Sequence, residues 1–271
     1  MKKTFFCIFI IVIGFASCSQ YEKLRKSRDY HLMYRKAFDY YNVGDFVRSG
    51  QLFDDISSIF RGTTKEDTVS YYQAMSYFKQ KDYLTASHYF SQHYKNRRQS
   101  PFTEECEYLT GYCYYMMSPR ASLDQANTHA AIESFQVFLM RNPGSIFVSD
   151  AEKYLSEMKD KLVDKSYQTA KLYYNLGQYK ASIIALNNSL DDYPETKYRE
   201  ELMFLLLRSS YLLAENSYPS RMKERFQSTV DEYFSFYGEF PQSQYVKDAQ
   251  RMFERADRFL KTRTSGNEDD E

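Results

Sequence analysis

Tyr34-Arg35-Lys36-Ala37-Phe38-Asp39-Tyr40-Tyr41-Asn42-Val43-Gly44-Asp45-Phe46 decides the fold, because its skeleton returns. Tyr71, Ala74, Tyr77-Phe78, Asp82 and Tyr83 repeat it 37 residues later. Tyr108, Gly111 and Tyr114-Tyr115 repeat its first half after another 37. Tyr173-Tyr174 makes a fourth aromatic pair. A period between 20 and 50 residues marks a repeat array. Stacked helix pairs are first of all surfaces for other proteins, so partners are sought before catalysts.

The second helix of each repeat sets the register. Phe46-x-x-Ser49-x-x-x-Phe53, Tyr83-x-x-Ala86-x-x-x-Phe90, Thr128-x-x-Ala131-x-x-x-Phe135, Tyr179-x-x-Ser182-x-x-x-Leu186 and Phe226-x-x-Thr229-x-x-x-Tyr233 share one pattern. Residues three and four apart share a helix face. The small residue admits a neighbouring helix and the large one fills the space beside it. Pro143, Pro194 and Pro241 follow twelve residues after the small position in repeats three, four and five, where proline ends a helix. Repeats one and two carry Arg61 and Arg98 there. Ala37, Ala74, Gly111 and Ala170 supply small positions in the first helices. Val43-Gly44-Asp45, Gln80-Lys81-Asp82 and Leu176-Gly177-Gln178 read as the turns between helices. This is the grammar of tetratricopeptide repeats. The expected fold is all-α, a right-handed superhelix of about five irregular tetratricopeptide-like helix pairs. The small positions of the second helices are 37, 45, 51 and 47 residues apart, so helices are longer than the standard repeat allows or turns are inserted. Ser149 to Tyr174 has no glycine or proline and reads as two helices with a weak break or as one long connecting helix.

The N-terminus has its own chemistry. Met1-Lys2-Lys3 precedes an apolar run from Phe5 to Phe15, too short for an ordinary membrane span and of signal-peptide length. Ala16-Ser17-Cys18 follows, resembling a bacterial lipobox, with cleavage before Cys18 and acylation of its thiol. The other reading is an ordinary secretory signal in which Cys18 is incidental. Each buried methylene of an acyl chain contributes ~0.8 kcal/mol to anchoring. The expected organisation is a signal peptide at 1–17, a lipidated tether at 18–27, repeats one to three at 28–143, repeats four and five with a connecting helix at 144–263, and a disordered acidic tail at 264–271.

Other classes are disfavoured. Lys plus Arg and Asp plus Glu each number 36, which leaves no basic excess for nucleic acid. Cys106 and Cys113 lie two turns apart on one helical pattern, about 10.5 Å along the axis, beyond disulfide reach. They read as small core residues. The four histidines are scattered, so neither metal nor cofactor is expected. No Gly-rich phosphate loop, G-x-S-x-G elbow or HExxH motif is present. Asp54-Asp55 and Asp191-Asp192 are sequence neighbours that point to different sides of a helix. The chain reads as a non-enzyme.

The candidate partner surface is a stripe. Tyr41, Phe78, Tyr115 and Tyr174 are the later members of the aromatic pairs, and Tyr34, Tyr71, Tyr108 and Tyr167 precede them by seven residues. Seven residues is nearly two turns, so these eight form a ladder along the first helices. It is either a tyrosine-rich, wetted groove for peptides with apolar anchors or core between closely wound helices.

The chain resembles the BamD family, also called YfiO, of outer-membrane β-barrel assembly lipoproteins. Ser149-Asp150-Ala151-Glu152-Lys153-Tyr154-Leu155, Lys159-Asp160-Lys161-Leu162, Ala170-x-x-Tyr173-Tyr174-x-x-Gly177 and Asp192-Tyr193-Pro194-Glu195-Thr196 carry the likeness. The resemblance implies a periplasm-facing outer-membrane lipoprotein that contacts a BamA-type barrel subunit and other subunits of the assembly machinery. Its N-terminal repeats would recognise unfolded outer-membrane β-barrel proteins. A different periplasmic repeat scaffold and a SusD-like glycan-binding lipoprotein are the alternatives.

Overall fold

A computed structural model describes residues 20–265. Among them every regular element is a helix: α1 (20–27), α2 (Tyr30–Asn42), α3 (Phe46–Ser57), α4 (Glu66–Lys79), α5 (Tyr83–Asn96), α6 (Thr103–Met117), α7 (Ala126–Arg141), α8 (Val148–Asn175), α9 (Tyr179–Asp192), α10 (Arg199–Glu215), α11 (Pro219–Glu239) and α12 (Val246–Ser265). The all-α repeat expectation holds. The glycine-free stretch is one helix, α8, of 28 residues. The signal peptide, Cys18 and the acidic residues from 266 onward lie outside the described residues.

The chain forms two compact units. The first comprises the described residues through Pro119 with Asp124–Met158. The second comprises Arg120–Leu123 with the described residues from Lys159. In the first unit α2 to α7 pack each on the next, and in the second α9 to α12 do the same, with α10 also touching α12. Residues 20–27, grouped above with the tether, are helical. Tyr21 is buried there, and its hydroxyl donates to Gln51 Oε1 at 2.9 Å, while Arg25 pairs with Asp55 at 2.6 Å.

The small/large register explains the packing. Ser49, Ala86, Ala131, Ser182 and Thr229 are all fully buried, as are Phe53, Phe90, Phe135 and Leu186. Twenty-seven residues after each small position comes a buried residue of the next first helix: Ser76, Cys113, Met158, Ser209 and Ala256. Where both members are serine, their hydroxyls bond across the approach, Ser49 to Ser76 at 3.2 Å and Ser182 to Ser209 at 3.0 Å. Each buried phenylalanine contributes on the order of 2–3 kcal/mol by leaving water. Gly111 is glycine for a steric reason: a Cβ there would meet two Phe135 ring carbons at 3.0 Å. Cys106 and Cys113 are free, buried thiols inside this core.

The aromatic pairs also close the turns. Gly44, Lys81 and Gly177 all have positive φ, at +83°, +63° and +69°. The next amide donates back across the helix end, Asp45 to Tyr40 O, Asp82 to Tyr77 O and Gln178 to Tyr173 O, at 2.9 to 3.1 Å. This is a Schellman termination, in which the left-handed residue satisfies orphan carbonyls. Asp45 and Asp82 then cap the second helices by accepting from Arg48 N and Thr85 N, each at 3.1 Å. Lys81 holds a conformation that costs a side-chain-bearing residue about 1–2 kcal/mol. Lys81→Gly is therefore expected to raise stability by about 1 kcal/mol, less a glycine entropy term. A urea midpoint unchanged or lower than wild type would contradict this.

At the other end, α7, α9 and α11 stop at Asn142, Tyr193 and Phe240, each followed by its proline. A residue before proline is pushed out of the α region. Arg97 ends α5 with the same backbone, φ −130° and ψ 60°, although Arg98 stands where proline would. Here Arg97 holds the turn by salt-bridging Glu66 at 2.5 Å.

Candidate partner-binding surface

The earlier stripe positions meet an aromatic that introduces the next first helix. Tyr71 stacks on Phe102 at 4.2 Å and 15°, Tyr108 on Phe147 at 4.6 Å and 10°, and Tyr167 on Tyr198 at 3.9 Å and 10°. Tyr34 meets Phe60 at 5.4 Å with a larger tilt, and Lys65 Nζ lies 4.5 Å from the Tyr34 ring centre. Tyr71 and Tyr108 are buried, and the other six stripe residues are half-buried.

Several hydroxyls are committed to carboxylates on the next first helix. Tyr71 donates to Glu105 at 2.9 Å, Tyr167 to Glu201 at 2.8 Å and Tyr115 to Glu157 at 2.7 Å. Lys171 bridges the Tyr167 hydroxyl and Glu201 at 2.7 and 2.8 Å. Burial, then Glu105, pushes the Tyr71 hydroxyl well above the usual phenol range. The bond to Glu157, then burial, raises Tyr115 to about 12. These phenols are neutral donors that lock first helix to first helix.

The later stripe positions seal the same joints from further along. Tyr41 makes edge contacts with Phe46 and Tyr72 at 5.3 and 5.0 Å, and burial raises its hydroxyl to about 12. Phe78 contacts Tyr83, Phe90 and Tyr112. Tyr115 packs 4.4 Å from Tyr154, and Tyr174 lies beside Tyr179 with Arg208 over its ring at 5.8 Å. Six of the eight stripe rings thus stay half-buried, held by contacts to neighbouring aromatics.

Sequence reasoning stopped the ladder one rung early. Phe204 and Tyr211 are also seven apart and follow Tyr167 and Tyr174 by 37 residues. Phe204 stacks on Tyr245 at 4.3 Å and 9°, continuing the series. The signal was the same spacing, but the fifth repeat was anchored on its second helix alone. An open cleft of about 310 Å³ lies at this rung between α10 and α12, bordered by Arg208, Tyr211, Leu212, Arg251, Met252 and Arg255.

The adjacent acids serve structure. Asp54 accepts from Gln73 at 2.7 Å and Tyr77 at 2.5 Å, while Asp55 holds Arg25. Among the described residues no group of three His, Cys, Asp or Glu could hold a metal ion, and no helix is long and apolar enough to cross a membrane.

Fold and surface together define a helical-repeat protein whose first helices carry a stapled aromatic stripe. The chain belongs to the YfiO family of outer membrane lipoproteins, whose model matches residues 27–226. It is similar to the putative outer membrane protein assembly factor BamD of Aquifex aeolicus (strain VF5), 25% identical over 237 residues covering 86% of this chain and 77% of that one. It is also similar to the outer membrane protein assembly factor BamD of Caulobacter vibrioides, 23% identical over 122 residues, 45% of this chain and 40% of that one. Among solved structures it is distantly similar to the TPR2AB-domain:pHSP90 complex of yeast Sti1, with a TM-score of 0.38 and 12% identity over 84% of this chain and 98% of that one.

Proposed function

We propose that this chain is an outer-membrane protein assembly factor, held at the periplasmic face of the outer membrane by acyl chains on Cys18. Its repeats scaffold a BamA-type barrel subunit and other subunits of the machinery. The aromatic stripe gives unfolded β-barrel proteins rigid apolar contact points. The family match over residues 27–226 carries this reading, and the relatives' names as assembly factors give it direction. The stripe supports it physically, since pre-ordered ring edges bind apolar side chains at low entropic cost.

Two experiments test it. Cys18→Ser is expected to move the protein from the membrane pellet to the soluble fraction, because without acyl chains the anchoring contribution of ~0.8 kcal/mol per methylene is gone. Depletion of the protein is expected to lower outer-membrane β-barrel levels, and detergent extracts to yield a BamA-type subunit with it. Normal barrel levels, or retention on a polysaccharide gel without the barrel subunit, would replace this reading with the glycan-binding one.

A further inference from the structure

A cleft of about 570 Å³ is lined by residues of α3, α4 and α5 and of the turns that follow α3 and α5, a size usual for small-molecule sites. Val69 is its single aliphatic wall residue. Two carboxylates, Asp54 and Glu66, stand against two guanidinium groups, Arg61 and Arg97, so formal charge cancels. The carboxylates are already spent inside the protein. Asp54 accepts from Gln73 at 2.7 Å and from the Tyr77 and Tyr89 hydroxyls at 2.5 and 3.4 Å. Glu66 accepts from the Gly62 amide at 2.7 Å and from Arg97 at 2.5 Å.

The neutral amides on the wall are not spent. Gln73 is only 6% exposed and gives its Nε2 to Asp54, yet its Oε1 takes no hydrogen bond among the described residues. A buried amide carbonyl normally has a donor. Gln92 is exposed and sets its Nε2 3.0 Å from His88 Nε2, while Asn96, also exposed, makes no side-chain hydrogen bond among the described residues. One repeat on, the same groove is closed chemically. Thr110 stands 37 residues after Gln73 and donates to Cys106 O at 2.8 Å. Glu107 stands 37 after Ser70 and accepts from Arg141 at 2.9 Å and Asn142 at 3.0 Å. The opening left there is about 210 Å³. The unspent amides therefore belong to this groove and not to the repeat.

We infer that the cleft between α3 and α5 binds a neutral mono- or disaccharide. Sugar hydroxyls both donate and accept, so one ring can donate to Gln73 Oε1 and accept from Asn96. An anionic ligand would meet Asp54 and a cationic one Arg61 and Arg97, like charges in a partly desolvated place. Half-buried Tyr89 offers its ring to the C–H face of a sugar. The bonds from Asp54 hold Gln73 and Tyr89 in place before binding, which lowers the ordering cost. The inference goes beyond the assembly role and does not depend on it.

The test titrates the full chain in detergent with maltose, cellobiose and N,N′-diacetylchitobiose, and with glucuronate and glucosamine as charged controls. Calorimetry is expected to show at least one neutral disaccharide binding with a Kd of ~1 mM or tighter, ~10-fold more tightly than either control, and with no loss of affinity as salt rises. Gln92→Ala with Asn96→Ala, both exposed, is expected to weaken that binding ~10-fold, the scale of two lost hydrogen bonds, and to leave helical circular dichroism unchanged. No binding of any of the three disaccharides, a charged control that matches them, or an unaffected double variant would each overturn the inference. The assembly reading fails separately, if depletion leaves barrel levels normal while the sugar still binds.

Discussion

Tyr71→Ala is expected to cost the first unit about 3–5 kcal/mol, the range for removing a large buried aromatic. The ring is 8% exposed, stacked on Phe102 at 4.2 Å and set edge-on to Tyr72 at 5.2 Å. Its loss takes away the contact that joins α4 to the start of α6 and strands Glu105 without its donor. Tyr71→Phe separates the two effects. It keeps the stack and loses only the hydroxyl bond, for about 1–2 kcal/mol. The chain has no tryptophan, so far-UV circular dichroism during urea titration is the readout. Tyr34→Ala is expected to cost less, because its ring is only half-buried and tilted against Phe60. The contrast bears on function. If Tyr71→Ala melts as wild type does while losing client peptide, the stripe is a docking surface first. If it unfolds and Tyr34→Ala alone weakens peptide binding, the surface consists of the half-buried members only.

The repeat was legible because it is written in residue size. Small residues at Ser49, Ala86, Ala131, Ser182 and Thr229, each four before a large apolar one, have to face a neighbouring helix whatever the rest of the chain does. The turns were legible for a related reason, since Gly44 and Gly177 announce a left-handed residue. Lys81 hides the same conformation behind an ordinary side chain, and Arg97 hides a proline-type ending. The stripe could only be half read. Seven-residue spacing says which rings share a face, but not what stands opposite. That depends on Phe102, Phe147 and Tyr198, which stand 31 or more residues away and each follow the small position of the preceding second helix by sixteen residues, a register that says where they recur but not which ring they meet. Tyrosine was chosen over phenylalanine at Tyr71, Tyr115 and Tyr167 to reach carboxylates inside the protein, not water. The arginines of the α10–α12 cleft come from two elements 43 residues apart, Arg208 and Arg251, so only the folded chain brings them to one place.

His93 makes the first unit sensitive to mild acid. The side chain is fully buried, with Nδ1 3.1 Å from the Ser70 hydroxyl and Nε2 2.9 Å from that of Ser100. A neutral imidazole, one ring nitrogen donating and the other accepting, suits two hydroxyls that can rotate to match. Burial, reinforced by the Arg97 charge, lowers its pKa to about 4, and the carboxylates of Asp67 and Glu66 only partly oppose this. The unfolded chain takes up the proton near pH 6.5, well above the folded state. Stability from this site is therefore complete above about pH 6.5 and declines as pH falls toward 4, amounting to about 2 kcal/mol lost by pH 5. Glu66 does not blur that window. Its pKa is lowered, chiefly by the Gly62 amide, so its stabilising share is kept down to the ordinary carboxylate range and lost only below it. Urea midpoints at pH 7.5 and pH 5 are expected to differ by this amount in wild type. His93→Gln, which offers an amide to the same serines and cannot titrate, is expected to flatten the difference even where it lowers stability at both pH values. A variant that keeps the full wild-type pH dependence would place the titrating group elsewhere.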